Sequence, residues 1–148
     1  MRVEALPSSV VVDASVGLKW VVDEPGSDAA VALIAGRALV TSALFWAEAA
    51  NALATKERRG ELDRGALEDA WRDLAQAPLQ SVPLDPAGAS AALALAAELR
   101  HPVYDCCYLQ LALARGTAVV TADRRFRRLV EPHATLAARV VHLDQIEP

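Results

Sequence analysis

The stretch Ser9-Val10-Val11-Val12-Asp13-Ala14-Ser15 decides the fold. Its three consecutive valines follow the turn-forming pair Pro7-Ser8. Such a run is typical of a strand buried on both faces, as in the centre of a parallel sheet. The run ends on an acid, Asp13, and in open α/β sheets the ligand crevice lies beyond the carboxyl ends of the strands. The sequence therefore predicts that Asp13 faces such a crevice.

The rest of the chain alternates between strand and helix patterns with short turns. We expect further strands at residues 38–41, 81–84, 117–121 and 139–143. We expect helices at residues 16–22, 27–36, 42–59, 63–77, 85–101 and 104–115, and a short basic helix after Asp123. No repeat, linker or low-complexity tract interrupts this order. The pattern predicts one α/β domain over residues 1–148, with a mostly parallel central sheet flanked by helices.

Composition narrows the functional classes. The 148 residues are 53% hydrophobic, which is ample material for a core. The two cysteines, Cys106 and Cys107, are adjacent and cannot form a useful disulfide bond, which indicates a reducing, cytoplasmic setting. The same pair also argues against a zinc site. No apolar run approaches the roughly 18 residues of a membrane span, so we expect no membrane association. The net charge of −4 argues against a general basic coat for nucleic acid, and it leaves open a local binding patch.

Three further acids lie at positions comparable to that of Asp13, at the end of a strand or near the start of a helix. Asp123 closes a second strand that is apolar on both faces. Glu48 lies early in a helix among apolar neighbours, and Asp105 lies in the first turn of a nearly apolar helix. Two strand ends and two helix starts can converge on one crevice, so we expect the four acids to meet there.

Each acid also has an ordinary structural explanation. Asp13 and Asp123 suit helix N-caps, and Asp105 suits a first-turn partner of the helix dipole. Glu48 is harder to explain in this way, because carboxylates are seldom buried unpaired. It shares a helical stripe with Asn51, which indicates a polar seam that leads into the crevice.

Convergence of carboxylates has an electrostatic cost that favours a cation. Two like charges at about 4 Å repel by about 4 kcal/mol at an effective dielectric of about 20. All-oxygen ligands suit Mg²⁺ or Mn²⁺. The three histidines, His101, His133 and His142, are scattered in the sequence, and we expect them to be structural or exposed. Mg²⁺ held by carboxylates can activate water and stabilise both oxygens of a phosphodiester displacement. Phosphodiester hydrolysis is therefore our hypothesis.

Four blocks of sequence carry a resemblance to a known family: Val11-Val12-Asp13-Ala14-Ser15, residues 48–53, residues 104–112 and residues 121–126. In this order they resemble the PIN-domain ribonucleases and, among them, the VapC-type toxins of bacterial toxin–antitoxin pairs. The resemblance implies an Mg²⁺- or Mn²⁺-dependent endoribonuclease. Its catalytic and metal-binding acids would be Asp13, Glu48, Asp105 and Asp123, with Ser15 and Thr121 as supporting polar residues. It also implies a homodimer silenced by a cognate VapB-type antitoxin that lies across the active-site groove.

Binding of RNA needs positive charge near the crevice. Arg124 and Arg125 directly follow Asp123, and Lys56 and Arg59 end the helix that carries Glu48. Basic runs are commonly solvated helix faces. Those that point into the groove could hold RNA phosphates without reading sequence.

Other functions compete with a nuclease toxin. A phosphoacceptor domain also places an acid at the carboxyl edge of a sheet, but its chemistry needs a lysine at a late strand end, where this chain has none. A non-catalytic PIN module that binds metal or RNA, and a PIN nuclease that processes RNA without an antitoxin, both stay open. Metal-dependent cleavage of RNA would separate an enzyme from a binding module.

Overall fold

The computed structural model describes residues 1–147, and its centre is a five-stranded sheet in which every pairing is parallel. The strands are β1 (Ser9–Val12), β2 (Ala38–Ser42), β3 (Leu79–Val82), β4 (Val119–Thr121) and β5 (Val140–His142). They lie side by side in the order β3-β2-β1-β4-β5, so the valine strand β1 is central. The predicted α/β fold is confirmed, and the sheet is wholly parallel where the sequence predicted a mostly parallel one.

The helices connect these strands. They are α1 (Ala14–Leu18), α2 (Ser27–Ala32), α3 (Leu44–Arg58), α4 (Arg64–Ala75), α5 (Pro86–Leu99), α6 (Val103–Ala114), α7 (Arg124–Val130) and α8 (Ala134–Ala137). Two 3₁₀ turns, at Val3–Ala5 and Leu143–Gln145, lie near the ends of the described chain. Among residues 1–147, no helix has the length and apolarity needed to cross a bilayer.

The valines of β1 divide between two cores, one on each face of the sheet. Val11 belongs to a core that includes Phe45 and Tyr108, whereas Val10 and Val12 belong to the core on the opposite face. All three valines are fully buried. Because successive side chains of a strand point to opposite faces, helices must cover both sides of β1. The prediction of a doubly buried central strand is thereby confirmed.

Several element boundaries differ from those that the sequence predicted. The first helix begins at Ala14 rather than at residue 16, because Asp13 caps it. β3 begins at Leu79, two residues before the predicted start, because Leu79 pairs with Leu39 and Val82 with Ser42. α2 ends at Ala32 rather than near residue 36, and the short helix α8 was not predicted. Such boundaries depend on partners that are distant in sequence.

Close packing of α1 on α3 brings two of the acid-bearing segments together. A Cβ atom placed on Gly17 would lie 2.3 Å from Cζ of Phe45, which is too close for two carbon atoms. Only glycine therefore allows α1 to approach α3 at this distance. The contact joins the segment that follows Asp13 to the helix that carries Glu48.

Candidate functional site

The four predicted acids line a single cavity at the carboxyl edge of the sheet. Its volume is about 160 Å³, and its lining residues are Asp13, Ala14, Ser15, Glu48, Asp105, Tyr108 and Asp123. Two of the acids follow the strands β1 and β4, and the other two come from the second turn of α3 and the first turn of α6. The parallel sheet produces this arrangement, because the carboxyl ends of its strands meet at one edge.

Asp13 is the most deeply buried of the four acids, with 4% of its surface exposed. Its Oδ1 accepts hydrogen bonds from Ser15 Oγ at 2.5 Å and from the Val16 N–H at 3.2 Å. Its Oδ2 accepts from Thr121 Oγ1 at 2.5 Å. Burial raises the pKa of Asp13 from 3.8 to about 7 although these three bonds oppose the rise, and the nearby charge of Asp105 adds to it. A buried carboxyl group that lacks a positively charged partner suits a bound cation.

Both explanations of the strand-end acids hold in the structure. Asp13 caps α1 through Val16, and Asp123 caps α7, where its Oδ1 accepts from the N–H groups of Arg125 at 2.7 Å and Phe126 at 3.3 Å. Both acids also line the cavity. The capping bonds use only part of the hydrogen-bonding capacity of a carboxylate, which can accept several more bonds. The N-cap role therefore leaves each acid available to the cavity.

Ser15 and Thr121, the predicted supporting residues, hold Asp13 and connect it to β4. The Ser15 hydroxyl accepts from the Ala122 N–H at 2.9 Å, and the Thr121 hydroxyl accepts from the Asp123 N–H at 3.0 Å. Both hydroxyl groups donate to Asp13. Each hydroxyl therefore links the end of β1 to the segment that leads into α7, and together they fix the Asp13 carboxyl group in one orientation.

A tyrosine that is not among the predicted site residues orients Glu48. Tyr108 is fully buried, and its hydroxyl donates to Glu48 Oε1 at 2.5 Å. Burial raises the pKa of Glu48, helped by the charge of Asp105 and opposed by the tyrosine bond. Burial and the Glu48 bond raise the pKa of Tyr108 well above its usual range. Tyr108 lies three residues after Asp105, and this spacing, which places both on one face of α6, could have identified it.

Asp105 has a histidine partner, which corrects one prediction. His101 Nε2 lies 2.6 Å from Asp105 Oδ2, and the imidazole ring stacks on Phe126 with centroids 6.1 Å apart. The sequence predicts that the three histidines are scattered and structural or exposed, and His101 departs from this prediction in that it lies against one of the four acids. The pair is four residues apart, but His101 precedes the first residue of α6, so helical periodicity alone does not place the two side chains together.

Asn51 and the residues at the end of α3 lie outside the acid cavity. Asn51 is exposed and lines an adjoining groove together with Glu48 and Tyr104. Lys56 forms ion pairs with Glu24 at 3.4 Å and Glu61 at 3.2 Å. The expected polar seam thus runs beside the cavity rather than into it.

The other predicted basic residues are on the surface. Arg59 and Arg125 are exposed, and Arg124 pairs with Asp144. Arg59 lies 11 residues beyond Glu48, or about 16 Å along α3 at about 1.5 Å per residue. Arg124 and Arg125 instead open α7 directly after Asp123. Of the two basic runs, the one in α7 is therefore nearer to the acids.

The residues of the cavity fit a hard divalent cation by their chemistry. Their potential ligands are carboxylate and hydroxyl oxygens, which Mg²⁺ and Mn²⁺ prefer. Within the part of the chain that the structure describes, no three side chains of His, Cys, Asp or Glu are close enough to form a ready-made metal site. Binding of a cation therefore requires the acids to close around it.

Comparison with solved structures agrees with this fold. The structure of PAE2754 from Pyrobaculum aerophilum is similar, with a TM-score of 0.68 and 22% identity over 93% of this chain and 85% of that one. A toxin–antitoxin complex from Klebsiella pneumoniae matches with a TM-score of 0.61 and 14% identity over 90% and 97% of the two chains. VapBC-5 from Mycobacterium tuberculosis, a member of the VapBC family of toxin–antitoxin systems, matches with a TM-score of 0.56 and 22% identity over 92% and 98%.

At these identities the structural neighbours show a shared fold. No curated protein matches the chain. The sequence itself, however, matches the PIN domain family over residues 10–132, a range that begins in β1 and includes all four acids. This match covers most of the 148 residues. The chain therefore belongs to the PIN domain family.

Proposed function

We propose that this chain is an Mg²⁺- or Mn²⁺-dependent endoribonuclease whose single domain spans residues 1–148 and which acts as the toxin of a type II toxin–antitoxin pair. The observation that carries the proposal is the convergence of Asp13, Glu48, Asp105 and Asp123 on one cavity. Bringing four carboxylates with few cationic partners together costs free energy through repulsion and loss of hydration, and a structural role does not require them to meet. Hydrolysis of a phosphodiester explains why they do.

A divalent cation supplies two things when it is bound: it lowers the pKa of water, and it offsets negative charge on the phosphodiester. The residues of the chain orient the acids that hold it. Asp13 is fixed by the hydroxyl groups of Ser15 and Thr121. Glu48 is fixed by Tyr108. Such partners keep ligands in position and limit the reorganisation that binding requires.

His101 fixes Asp105 in the same manner, and Asp123 is held by its capping bonds to the start of α7. All four acids therefore have a hydrogen-bond partner that orients them. Asp13 would be the central ligand in this proposal, and Glu48 and Asp105 would bind beside it with assistance from Asp123. In-line attack by water on the scissile phosphate would leave a 5′-phosphate and a 3′-hydroxyl.

The proposed antitoxin partner rests on the structural neighbours. Two of them are described as a toxin–antitoxin complex and as a member of the VapBC family. We infer a cognate VapB-type antitoxin that covers the active-site groove, a homodimer of this chain, and a cytoplasmic location. A small reading frame directly upstream, whose product restores growth to cells that express this chain, would support the toxin role over RNA processing without an antitoxin.

The enzyme is tested by incubating the purified, partner-free protein with total RNA in Mn²⁺ or in EDTA. We expect cleavage in Mn²⁺, no cleavage in EDTA, and none with Asp105→Asn. The matched control is Asp85→Asn, an exposed N-cap acid of α5 whose capping role asparagine preserves. Equal cleavage by Asp105→Asn and wild type would refute the proposed site. No cleavage by the wild type despite measurable Mn²⁺ binding would favour a non-catalytic module.

A further inference from the structure

A second cavity lies beside the acid cavity and shares no lining residue with it. Its volume is about 250 Å³, and it is lined by Arg124, Arg127, Arg128, Glu131, His142 and Gln145. It lies between α7 and the end of β5, and His142 pairs in register with Thr121 of β4. Because Thr121 holds Asp13, the two cavities occupy neighbouring positions on the same edge of the sheet. Two strand spacings of about 4.8 Å, or about 10 Å, separate the strand that leads to Asp13 from the strand that carries His142.

The side chains of this basic cavity include buried donors without partners. In residues 1–147, only three buried side-chain polar atoms lack a hydrogen bond, and two of them are Arg127 Nη1 and His142 Nε2. The nearest acid to Arg127 Nη1 is Glu131, whose Oε1 lies 3.7 Å away, beyond hydrogen-bond distance. His142 Nδ1 accepts from the Asp144 N–H at 3.1 Å, so the neutral ring carries its proton on Nε2. Unpaired buried donors are rare, and they indicate a missing acceptor.

The charges around the basic cavity favour an anion as that acceptor. Arg124 is engaged by Asp144, and Arg127 lies near Glu131. Arg128 is exposed and has no acid within ion-pair distance in the described part of the chain. Three guanidinium groups thus face two carboxylates, which leaves net positive charge. Arginine is well suited to phosphate, because its planar fork matches two phosphate oxygens.

We propose that the basic cavity binds a backbone phosphate of the RNA strand whose scissile phosphate lies in the acid cavity. This inference rests on the proposed nuclease function and adds a subsite to it. An RNA strand that crosses the carboxyl edge from Asp123 passes Arg124 and reaches the basic cavity next. The phosphate oxygens accept from Arg128, from Arg127 Nη1 and from His142 Nε2. These contacts position the strand and do not read its sequence.

The test measures binding without cleavage, so it is independent of catalysis. A fluorescein-labelled single-stranded oligoribonucleotide of mixed sequence is titrated with the protein in EDTA at several salt concentrations. Arg128→Gln removes an exposed cation, and His142→Asn removes Nε2 while an amide oxygen replaces the Nδ1 acceptor. The control is Arg115→Gln, an exposed arginine at the end of α6, before the amino end of β4. Thermal melts monitor whether each variant is folded.

We expect both test variants to bind RNA about threefold to tenfold more weakly than wild type, as loss of one hydrogen bond implies. Arg128→Gln also makes the slope of log affinity against log salt shallower by about 0.7, the value for one lost single-strand phosphate contact. His142→Asn leaves the slope unchanged, because a neutral ring releases no counterion. Arg115→Gln has neither effect.

Wild-type affinity and slope in folded Arg128→Gln would overturn the proposal, as would the absence of RNA binding by wild type in EDTA. A second arm titrates inorganic phosphate and follows the ring signals of His142 by NMR. If phosphate shifts these signals while both variants bind RNA normally, the cavity takes a free anion or an acidic group of a partner protein, and the RNA assignment is wrong. If both variants weaken RNA binding as expected but the wild type cleaves no RNA, the nuclease function is refuted and the phosphate site is still supported.

Discussion

Replacement of Asp13 by asparagine should change how the stability of the metal-free protein depends on pH. Burial raises the pKa of Asp13 from 3.8 to about 7. Between these two values the folded chain holds a proton that the unfolded chain has lost, so stability falls as the pH rises from about 4 to about 7. The rise in pKa corresponds to about 4 kcal/mol at about 1.36 kcal/mol per pH unit. The loss is complete above about pH 7.

Asparagine cannot ionise, so the variant does not lose stability in this way as the pH rises. Its side-chain carbonyl can replace Oδ1, which accepts from Ser15 and Val16, and its amide can donate to the hydroxyl of Thr121. Asparagine also keeps the capping function at the start of α1. We therefore expect Asp13→Asn to be at least as stable as wild type in EDTA near pH 8. The stability of the variant relative to wild type should increase by up to about 4 kcal/mol between pH 4 and pH 8.

Urea unfolding in EDTA at a series of pH values gives this difference directly, because groups distant from Asp13 titrate equally in both proteins. Asp85→Asn is the control, since it makes the same chemical change at an exposed N-cap and should leave the difference from wild type flat. A flat difference for Asp13→Asn would refute the argument that a buried, uncompensated charge strains the site. Strong destabilisation of the variant at every pH would show that Asp13 is chiefly a structural cap.

Three further predictions concern packing, hydrogen bonding and metal linkage. Gly17→Ala should destabilise the protein by about 1–3 kcal/mol in urea unfolding, because the new methyl group would overlap Phe45; an unchanged midpoint would show that α1 can shift freely. Tyr108→Phe should cost about 1–3 kcal/mol and raise the pKa of Glu48 further, measurable by carboxyl NMR, since the tyrosine bond is what lowers that pKa; no change in either quantity would contradict the contact. Saturation with Mn²⁺ at about 100 times its dissociation constant should stabilise wild type by about 2.7 kcal/mol and leave Asp13→Asn unaffected in thermal melts, whereas equal stabilisation of both would indicate binding elsewhere.

Much of the fold follows from local sequence. The run Val10-Val11-Val12 is apolar without alternation, and the structure buries it on both faces as that pattern predicts. The order of the strands does not follow from local sequence, because the pairing of Leu39 with Leu79 joins residues that are 40 positions apart. No local pattern specifies such a partner, and the predicted start of β3 was two residues late for this reason.

The candidate site divides in the same way. Asp13 and Asp123 could be predicted because each follows a recognisable strand, and parallel strands deliver their carboxyl ends to one edge. His101 was missed because it precedes its helix, and its contact with Asp105 depends on the turn at Pro102. The sequence predicts RNA binding by Lys56 from its charge and from its place at the end of the helix that carries Glu48, but the structure pairs that charge with acids from other segments. Charge is visible in a sequence, whereas its partners are not.

The central claim is that the four acids form one site for a divalent cation. Titration of Mn²⁺ into wild type and into Asp13→Asn, Asp105→Asn and Asp85→Asn, followed by electron paramagnetic resonance, tests it without reliance on activity. We expect saturable binding in wild type and Asp85→Asn, and loss of that binding in Asp13→Asn and Asp105→Asn. Equal Mn²⁺ affinity in all four proteins would contradict the account.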